Sequence, residues 1–324
     1  MKMTLVKKIM TTLAELQELP DDFVLSVGNF DGVHLGHQYF IKQALSYAQK
    51  RNCKLVILTF SQHSKIHLLG QDQLKTENNQ FALLITPEIK HELIFANHVN
   101  YIFVEDFSLL MKKKCDEFIH FLKSNLPHCR GLFLGHDSKL GCDQINANDL
   151  IVSENGLNGF SIEVATAFKL PGGLIPSSTN IRAAFKTANM PLIRAYLGRN
   201  FYFYGQVLVA KGLGRSENVP TANIKYPIDL VQPLKGVYIT RLFLDDEVFP
   251  AISNIGNNPT MDNYQYLMCE THILTSKEFH LTHKQIKVEL LEFIREEKKF
   301  SNKDELFNQI RSDIFQAKKY HDMN

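Results

Sequence analysis

The sequence predicts an α/β chain of two domains, in which a parallel sheet with flanking helices is followed by a small β-barrel and a C-terminal helix. The first half alternates short apolar runs with longer helix-like stretches. After about residue 190, short β-branched and aromatic runs follow one another with Gly, Pro and Asn between them and no helices. The chain of 324 residues also exceeds the ~100–200 residues typical of one domain.

The first half contains the strands of the predicted parallel sheet. These strands are FVLSVGNF (23–30), KLVILTF (54–60), VNYIFVEDF (99–107), GLFLG (131–135) and FSIEVATAF (160–168), with helical stretches at 36–50, 86–97 and 178–189. Parallel neighbours need a crossover connection that is usually a helix, and this alternation supplies one. The rhythm therefore predicts a doubly wound α/β domain.

The second half contains the strands of the predicted barrel. They are FYFYGQVLVAKG (201–212), TANIKYP (221–227), GVYITRLFL (236–244), FPAISNIG (249–256), YLMCETHIL (266–274) and QIKVELLEFI (285–294). A last helix follows Ser301, which is its predicted cap. Its spacing predicts one apolar face that packs on the barrel, formed by Leu306, Phe307, Ile310, Ile314 and Phe315.

Composition excludes several classes of protein. Thirty-six Lys and Arg against 34 Asp and Glu leave a net charge of +2, which is too weak a field to hold a nucleic-acid backbone. The five cysteines are odd in number and form no C-x-x-C pair, so neither a disulfide framework nor a zinc site is indicated. No stretch approaches the ~20 apolar residues that span a bilayer, and no signal peptide is recognisable. We expect a soluble cytoplasmic protein that binds anions locally.

The segment GNFDGVHLGH (28–37) follows the first predicted strand and opens the first long helix. Backbone N–H groups and the positive end of the helix both attract phosphate there. His34 and His37 are three residues apart, so both imidazoles can donate to one phosphoryl group. An isolated pair of histidines would more often be exposed at the surface without a function. A zinc site would need a third ligand at a recognisable spacing, and no such ligand is found nearby. The strand, the glycines and the helix start predict a phosphate site.

This turn resembles the H-x-G-H nucleotide-binding turn of the nucleotidylyltransferase superfamily. Its sequence is similar to that of the bacterial bifunctional riboflavin kinase/FAD synthetase family. SSTNIR (177–182) is similar to the second nucleotide motif of that family. The resemblance implies catalytic roles for His34, His37 and Arg182. It also implies an ATP site formed by Gly28, Asn29, Phe30, Gly36, Ser177, Ser178 and Thr179.

Two intermediate segments match the family with departures. GHDSKLG (135–141) corresponds to a flavin and nucleotide segment that usually reads G-x-D-F-x-F-G, which implies a pocket role for Asp137 although both aromatic residues are replaced. TFSQHS (59–64) corresponds to T-F-x-P-H-P and keeps Thr59, Phe60 and His63 but neither proline. The missing aromatics keep open a second interpretation, a flavin-binding protein without catalysis.

The second half is similar to the flavokinase domain of the same family. GQVLVAKGLGRSENVPTANIKYP (205–227) matches its glycine-rich segment and its P-T-A-N, and CETHIL (269–274) and FIREEKKF (293–300) match later segments. The resemblance implies a phosphate loop formed by Gly212, Gly214 and Arg215, and two Mg²⁺ ligands, Thr221 and Asn223. It also implies that Glu270 is a general base and that Arg295 lines the flavin pocket. Residues 217–219 and 275–285 depart from the family pattern. They leave open a third interpretation, an FMN adenylyltransferase whose kinase barrel is degenerate.

The resemblance extends over nearly the whole chain in the expected order, and it implies FAD biosynthesis. A Rossmann-like nucleotidylyltransferase domain (1–187) would adenylylate FMN with ATP, giving FAD and pyrophosphate. A small antiparallel β-barrel flavokinase domain with a C-terminal helix (188–324) would phosphorylate riboflavin to FMN with ATP and Mg²⁺. The implied partners are riboflavin, FMN and ATP, with no nucleic acid and no membrane, and the chain would be a monomer or a weak homo-oligomer.

Overall fold

The structure of the chain is a computed structural model that describes residues 7–65, 82–110, 112–153, 160–208, 221–257, 266–275, 277 and 281–323. The chain divides into two compact units, Met1–Ser178 and Thr179–Asn324. The predicted domain boundary between residues 187 and 188 falls after the first helix of the second unit, and it stays a prediction.

The first unit is built on a six-stranded sheet in which every neighbouring pair is parallel. The strand order is β1-β4-β3-β2-β5-β8, so the chain moves outward from β2 in both directions. The strands are β1 (Lys8–Met10), β2 (Phe23–Val27), β3 (Lys54–Phe60), β4 (Tyr101–Glu105), β5 (Cys129–Leu134) and β8 (Ser161–Val164), and a small antiparallel pair is formed by β6 (Lys139–Leu140) and β7 (Ile145–Asn146). The predicted parallel sheet is confirmed.

Helices connect these strands, and several of them begin at residues whose side chains accept backbone hydrogen bonds. Thr12 forms a capping box with Glu15, and Thr86 accepts from the N–H of Ile89 ahead of a proline in the first turn. The helices of this unit are α1 (Leu13–Gln17), α2 (Leu35–Lys50), α3 (Pro87–Ala96), α4 (Phe107–Leu110), α5 (Cys115–Asn125) and α6 (Ala147–Ser153), and a 3₁₀ turn spans Pro171–Gly173. The central strands are apolar on both faces because helices cover both sides of the sheet.

The second unit is a six-stranded antiparallel sheet that curls on itself. Its strands are β9 (Phe201–Gln206), β10 (Thr221–Lys225), β11 (Gly236–Leu244), β12 (Glu247–Asn257), β13 (Leu267–Ile273) and β14 (Gln285–Glu296). Their order in the sheet is β10-β13-β12-β11-β14-β9. Its two edges approach each other, since Val207 bridges to Ile224 and the N–H of Leu208 donates to the carbonyl of Asn223 at 2.8 Å. The expectation of a small antiparallel barrel is confirmed.

Three helices belong wholly or mainly to this second unit: α7 (Ser178–Lys186), α8 (Met190–Leu197) and α9 (Lys303–Met323). Helix α8 begins at Asn189, whose side chain accepts from the N–H of Leu192, and ends at Gly198 in the left-handed conformation. No helix in the described part of the chain is both long enough and apolar enough to cross a membrane.

The packing face of α9 differs from the predicted one. Asp313 and Ala317 are its buried residues, and Ile314 and Tyr320 pack beside them on the sheet. Phe307, Ile310 and Phe315 are exposed, so the predicted apolar face was wrong for these three residues.

The cap of α9 also lies one residue beyond the predicted Ser301. The side chain of Asn302 accepts from the N–H of Glu305 at 2.9 Å, and the Glu305 carboxylate accepts from the N–H of Ser301 at 3.1 Å. The side of α9 that meets the sheet is the one that carries Asp313, whose ion pair with Arg295 is described below.

Two candidate active sites

The predicted phosphate turn connects β2 to α2 at the carboxyl end of the parallel sheet. Phe30, Gly32 and Val33 all have positive φ, at 50°, 85° and 37°. This conformation is costly for a β-branched residue such as Val33, and such strain clusters at functional sites. The turn thereby brings His34 to the N-cap of α2, where phosphate is attracted.

His34 has a defined tautomer. Its ring is buried, and its Nδ1 accepts the N–H of His37 at 3.3 Å. An imidazole nitrogen that accepts a hydrogen bond carries no proton, so the proton of neutral His34 lies on Nε2. Nε2 is therefore a hydrogen-bond donor at the helix N-terminus.

His37 stacks on His34, with ring centroids 3.7 Å apart and planes inclined by 18°. Burial lowers the pKa of His37 well below its usual range, and His34 and His63 lower it further. Its Nδ1 is buried and has no hydrogen-bond partner in the described part of the chain. The structure thus brings together the two histidines that the sequence predicted, and leaves His37 with unused hydrogen-bonding capacity.

The second nucleotide motif lies against this turn. The hydroxyl of Ser178 donates to the carbonyl of Asp31 at 2.8 Å. Gly36 is closely packed, since a Cβ there would lie 3.1 Å from both the His34 ring and the carbonyl of Pro176. Small size at position 36 therefore permits the approach of the two segments.

The other predicted ATP-site residues are placed as follows. Phe30 is buried, and its ring lies 5.4 Å from that of His37 and against Gly28. The side chain of Asn29 is hydrogen-bonded to Ser64. In and beside the first turn of α7, Ser177 is half-buried and Thr179 exposed, and the half-buried Arg182 follows one turn along the helix.

No contact between Asp137 and these groups is found among the described residues. Its side chain is 83% exposed, and its Oδ1 is 3.9 Å from Nδ1 of the neighbouring His136. Its role in a flavin or nucleotide pocket stays a prediction.

Sequence reasoning missed Lys90 on α3. Its Nζ donates to the hydroxyl of Thr59 at 3.0 Å and to the carbonyl of Phe60 at 3.1 Å. Burial lowers its pKa to about 8, against the opposing attraction of Asp31. Lys90 lines a narrow cleft together with Asn29, Asp31 and His63. A lysine thirty residues beyond β3 gives no local signal, because only the fold brings it to the end of that strand.

The predicted kinase residues meet on adjacent strands of the antiparallel sheet. Glu270 on β13 lies opposite Asn223 on β10 and opposite Asn254 on β12. Directly paired residues of antiparallel strands project from the same face, and Thr221, two residues before Asn223, shares that face. The sheet therefore aligns the predicted general base with both predicted metal ligands.

Glu270 has the electrostatic environment of a base. Glu270 is exposed at the surface of the sheet, but partial desolvation by the surrounding protein raises the pKa of its carboxyl, and the neighbouring carboxylate of Glu297 raises it further. Glu297 lies against Gly256, where a Cβ would collide with its carboxylate, and the amide of Asn254 donates to Glu297 at 3.5 Å. Sequence reasoning missed Glu297, which follows the end of β14 and raises the pKa of Glu270.

The predicted metal ligands fit a magnesium ion held together with nucleotide phosphates. The Oδ1 atom of Asn223 is buried and has no hydrogen-bond partner among the described residues. An unpaired buried carbonyl oxygen is costly, and a hard cation satisfies it. The described residues contain no group of three or more His, Cys, Asp or Glu that could hold a metal alone, so phosphate oxygens would complete the set.

Arg295 forms a partly buried ion pair. Its guanidinium donates to both carboxylate oxygens of Asp313, and the shortest contact is 2.7 Å from Nη2 to Oδ2. Asp313 also accepts from the amide of Gln309 at 2.8 Å. The guanidinium thus attaches α9 to the end of β14, and its predicted flavin role stays a prediction. The predicted phosphate loop, Gly212, Gly214 and Arg215, lies outside the described residues.

Comparisons with known proteins match both halves. The FAD synthetase family model matches residues 16–179, and the riboflavin kinase family model matches residues 197–321. A bifunctional riboflavin kinase/FMN adenylyltransferase of Haemophilus influenzae is 30% identical over 298 residues, covering 91% of this chain and 93% of its own length. Another protein of that name, from Escherichia coli K12, is 29% identical over 317 residues, covering 97% of each chain.

A solved structure also matches over almost the full length. It is named a macrolide-efflux protein from Streptococcus pneumoniae, and it superposes with a TM-score of 0.82 at 24% identity, covering 97% of this chain and 99% of that one. At this identity the likeness concerns the fold alone.

Proposed function

Because the chain belongs to the bifunctional riboflavin kinase/FMN adenylyltransferase family, its function is FAD biosynthesis through FMN, and we propose how its residues divide that work. The second half transfers the γ-phosphoryl group of ATP to riboflavin, giving FMN and ADP. The first half transfers the adenylyl group of a second ATP to FMN, giving FAD and pyrophosphate. The observation that carries this assignment is the alignment of Thr221, Asn223 and Glu270 on one face of the second unit, while the stacked histidines belong to the first unit.

In adenylyl transfer, a phosphate oxygen of FMN attacks the α-phosphorus of ATP, and the bond to the departing pyrophosphate breaks. No protein nucleophile is required, so catalysis consists of positioning and charge stabilisation. His34 donates from Nε2 and His37 donates beside it, at the N-terminus of α2. The half-buried Arg182 and the hydroxyls of the Ser177–Thr179 segment bind the remaining phosphate oxygens.

The low pKa of His37 suits this role. Its neutral ring rests beside His34 without repulsion before the substrate binds, and an arriving phosphate favours its protonated form. Positive charge then forms where negative charge accumulates in the transition state.

In the kinase reaction, Glu270 accepts the proton of the ribityl 5′-hydroxyl as that oxygen attacks the γ-phosphorus. Its raised pKa brings the base closer to neutral pH, which favours proton transfer. Thr221 and Asn223 would hold Mg²⁺, and the ion would neutralise charge on the transferring phosphoryl group. Gly212, Gly214 and Arg215 form the phosphate loop in this proposal.

The partners in this proposal are the small molecules riboflavin, FMN and ATP, with Mg²⁺ as cofactor. We propose a cytoplasmic monomer or weak homo-oligomer that engages neither nucleic acid nor membranes. The near-neutral charge supports the exclusion of nucleic acid. The retained carboxylate and metal ligands favour an active kinase over the degenerate barrel, despite the altered segments 217–219 and 275–285.

The test is to incubate the purified protein with riboflavin, ATP and Mg²⁺ and to separate riboflavin, FMN and FAD over time, with a parallel reaction started from FMN. We expect FMN to accumulate first and FAD to follow. FAD from FMN alone would mean that the barrel has lost its chemistry. Absence of product from both reactions would favour a flavin-binding protein instead.

A further inference from the structure

Two reciprocal hydrogen bonds join the phosphate turn to the segment after β3. The amide nitrogen of Asn29 donates to the hydroxyl of Ser64 at 2.8 Å, and the backbone N–H of Ser64 donates to the amide oxygen of Asn29 at 2.9 Å. Both residues are half-buried. We refer to this pair as the latch.

The latch lies between two groups of the adenylyltransferase site. Asn29 belongs to the turn that leads to His34, and Ser64 follows His63, whose charge helps to lower the pKa of His37. His63 therefore lies within electrostatic range of His37. The latch fixes the segment that carries one histidine to the turn that carries the other two.

The backbone of Asn29 is held as well. The hydroxyl of Thr59 donates to the carbonyl of Asn29 at 3.4 Å and accepts from the ammonium of Lys90 at 3.0 Å. Lys90 also donates to the carbonyl of Phe60, so the end of β3 is braced from α3. The turn is thus restrained at both the backbone and the side chain of Asn29.

The residue type at position 64 makes the latch possible. A proline has neither a backbone N–H nor a hydroxyl, and could make neither hydrogen bond. Ser64 stands where the pattern T-F-x-P-H-P has its second proline, and Gln62 stands where it has its first. A proline ring would restrain the backbone at position 64, and here the two hydrogen bonds to Asn29 restrain it instead.

We propose that Asn29 and Ser64 are positioning residues for adenylyl transfer, which hold the phosphate turn and the His63 segment in the geometry that the reaction needs. Ser64 binds both polar atoms of the Asn29 amide, so we assign Asn29 a role through the turn, and the KM for ATP tests for a direct contact with the nucleotide. This inference rests on the proposed FMN adenylyltransferase activity of the first half.

The test is a double-mutant cycle on the full-length protein, using Asn29→Ala, Ser64→Ala and the double variant. For each, kcat and KM for ATP are measured in FAD formation from FMN, thermal unfolding followed by circular dichroism reports on folding, and the riboflavin kinase rate reports on the second unit. We expect each single change to lower kcat about fivefold to tenfold, with the KM for ATP and the kinase rate unchanged. The double variant should lose no more than Asn29→Ala alone, because that change already removes both hydrogen bonds, including the one that Ser64→Ala breaks.

Matched variants separate hydrogen bonding from packing. Ser64→Thr keeps the hydroxyl and should retain nearly full kcat. Ser64→Val places a side chain of the same shape as threonine, but without the hydroxyl, and should behave like Ser64→Ala. Ser61→Ala alters an exposed serine of the same segment and should leave kcat unchanged. Should Ser64→Ala fail to fold, the Thr and Val pair provides the same comparison.

Three results would overturn the latch. Losses that multiply in the double variant would mean that the two residues act separately. A higher KM for ATP in Asn29→Ala alone would make Asn29 a direct ligand, and unchanged kcat in Ser64→Val would leave the hydroxyl without a role. If the unaltered protein made no FAD from FMN, the proposed function itself would fail, and that outcome is distinct from the other three.

Discussion

At the scale of single residues, hydrogen bonds and burial decide what each candidate group can do. The backbone N–H of His37 fixes the tautomer of His34, and the burial of His37 keeps its ring neutral before substrate binds. The pKa of Glu270 is shifted in the opposite direction, since partial desolvation and the charge of Glu297 both raise it. Both shifts suit the roles that we propose for these residues.

Replacement of His37 by alanine should lower the rate of FAD formation from FMN by about 10²–10³-fold, because one preorganised donor to the transition state is lost. FMN formation from riboflavin should be nearly unaffected. Both rates are measured on one preparation by chromatography. Equal loss of the two activities in a folded variant would contradict separate sites.

Glu270→Gln should lower the riboflavin kinase rate by about 10²–10⁴-fold and spare adenylylation, because the proton acceptor is removed. A variant with the full kinase rate would refute the assignment of the base.

The pH profile of the kinase provides an independent check of Glu270. The base is active when deprotonated, so the rate should fall as pH decreases through its pKa, which lies above the usual 4.5. Glu297→Gln removes the neighbouring negative charge, and the acid limb should move to lower pH. An unshifted limb would show that Glu297 does not influence the base.

At the scale of elements, an ion pair lies on the face of the last helix that packs on the sheet. Asp313 is the only buried charged residue of α9 in its described length, and Arg295 binds it through both carboxylate oxygens. Apolar periodicity placed Ile314 correctly and assigned Phe307, Ile310 and Phe315 wrongly to the contact face. Phe307 and Phe315 remain exposed because the side of α9 that carries Asp313 and Ala317 meets the sheet.

Asp313→Ala should lower the free energy of unfolding by about 1.5–3 kcal/mol, because the partly buried guanidinium of Arg295 would lose its charge-assisted hydrogen bonds to both carboxylate oxygens. Urea denaturation followed by circular dichroism measures the change. Asp304→Asn, on an exposed position of the same helix, should cost less than about 1 kcal/mol. Similar losses in both variants would mean that the pair does not attach the helix.

At the scale of the whole molecule, the chain carries two compact units, each with its own sheet and its own candidate site. The parallel sheet places its site at a strand-to-helix turn, where backbone donors converge on phosphate. The curled antiparallel sheet places its site on one face of adjacent strands. The two reactions accordingly use different chemistry on different scaffolds.

A mixture of His37→Ala and Glu270→Gln should form FAD from riboflavin, although neither variant alone does so efficiently. The first variant makes FMN, which diffuses to the second and is adenylylated there. FAD formation is followed by chromatography at equal concentrations of the two variants. Absence of FAD, with each remaining activity intact, would mean that FMN passes between sites within one molecule.

The succession of strands and helices along the chain and the location of the phosphate turn could be predicted from the chain itself. Apolar runs of fixed length, helix caps and the glycine-rich turn at 28–37 are local patterns, and local patterns depend on propensity and periodicity. The parallel sheet and the curled antiparallel sheet confirm these predictions at the level of fold. The roles of the Thr221–Asn223 and Glu270 segments rest on the resemblance to the flavokinase domain, and they stay predictions.

Contacts between segments distant in the chain could not be predicted in this way. Lys90 reaches Thr59, Ser64 binds Asn29, Glu297 raises the pKa of Glu270, and Asp313 pairs with Arg295. Each depends on which strand ends adjoin and which helix face is buried, and these follow from the packing of the whole unit. Burial and charge at a site are properties of that packing, so they emerge only when the chain is folded.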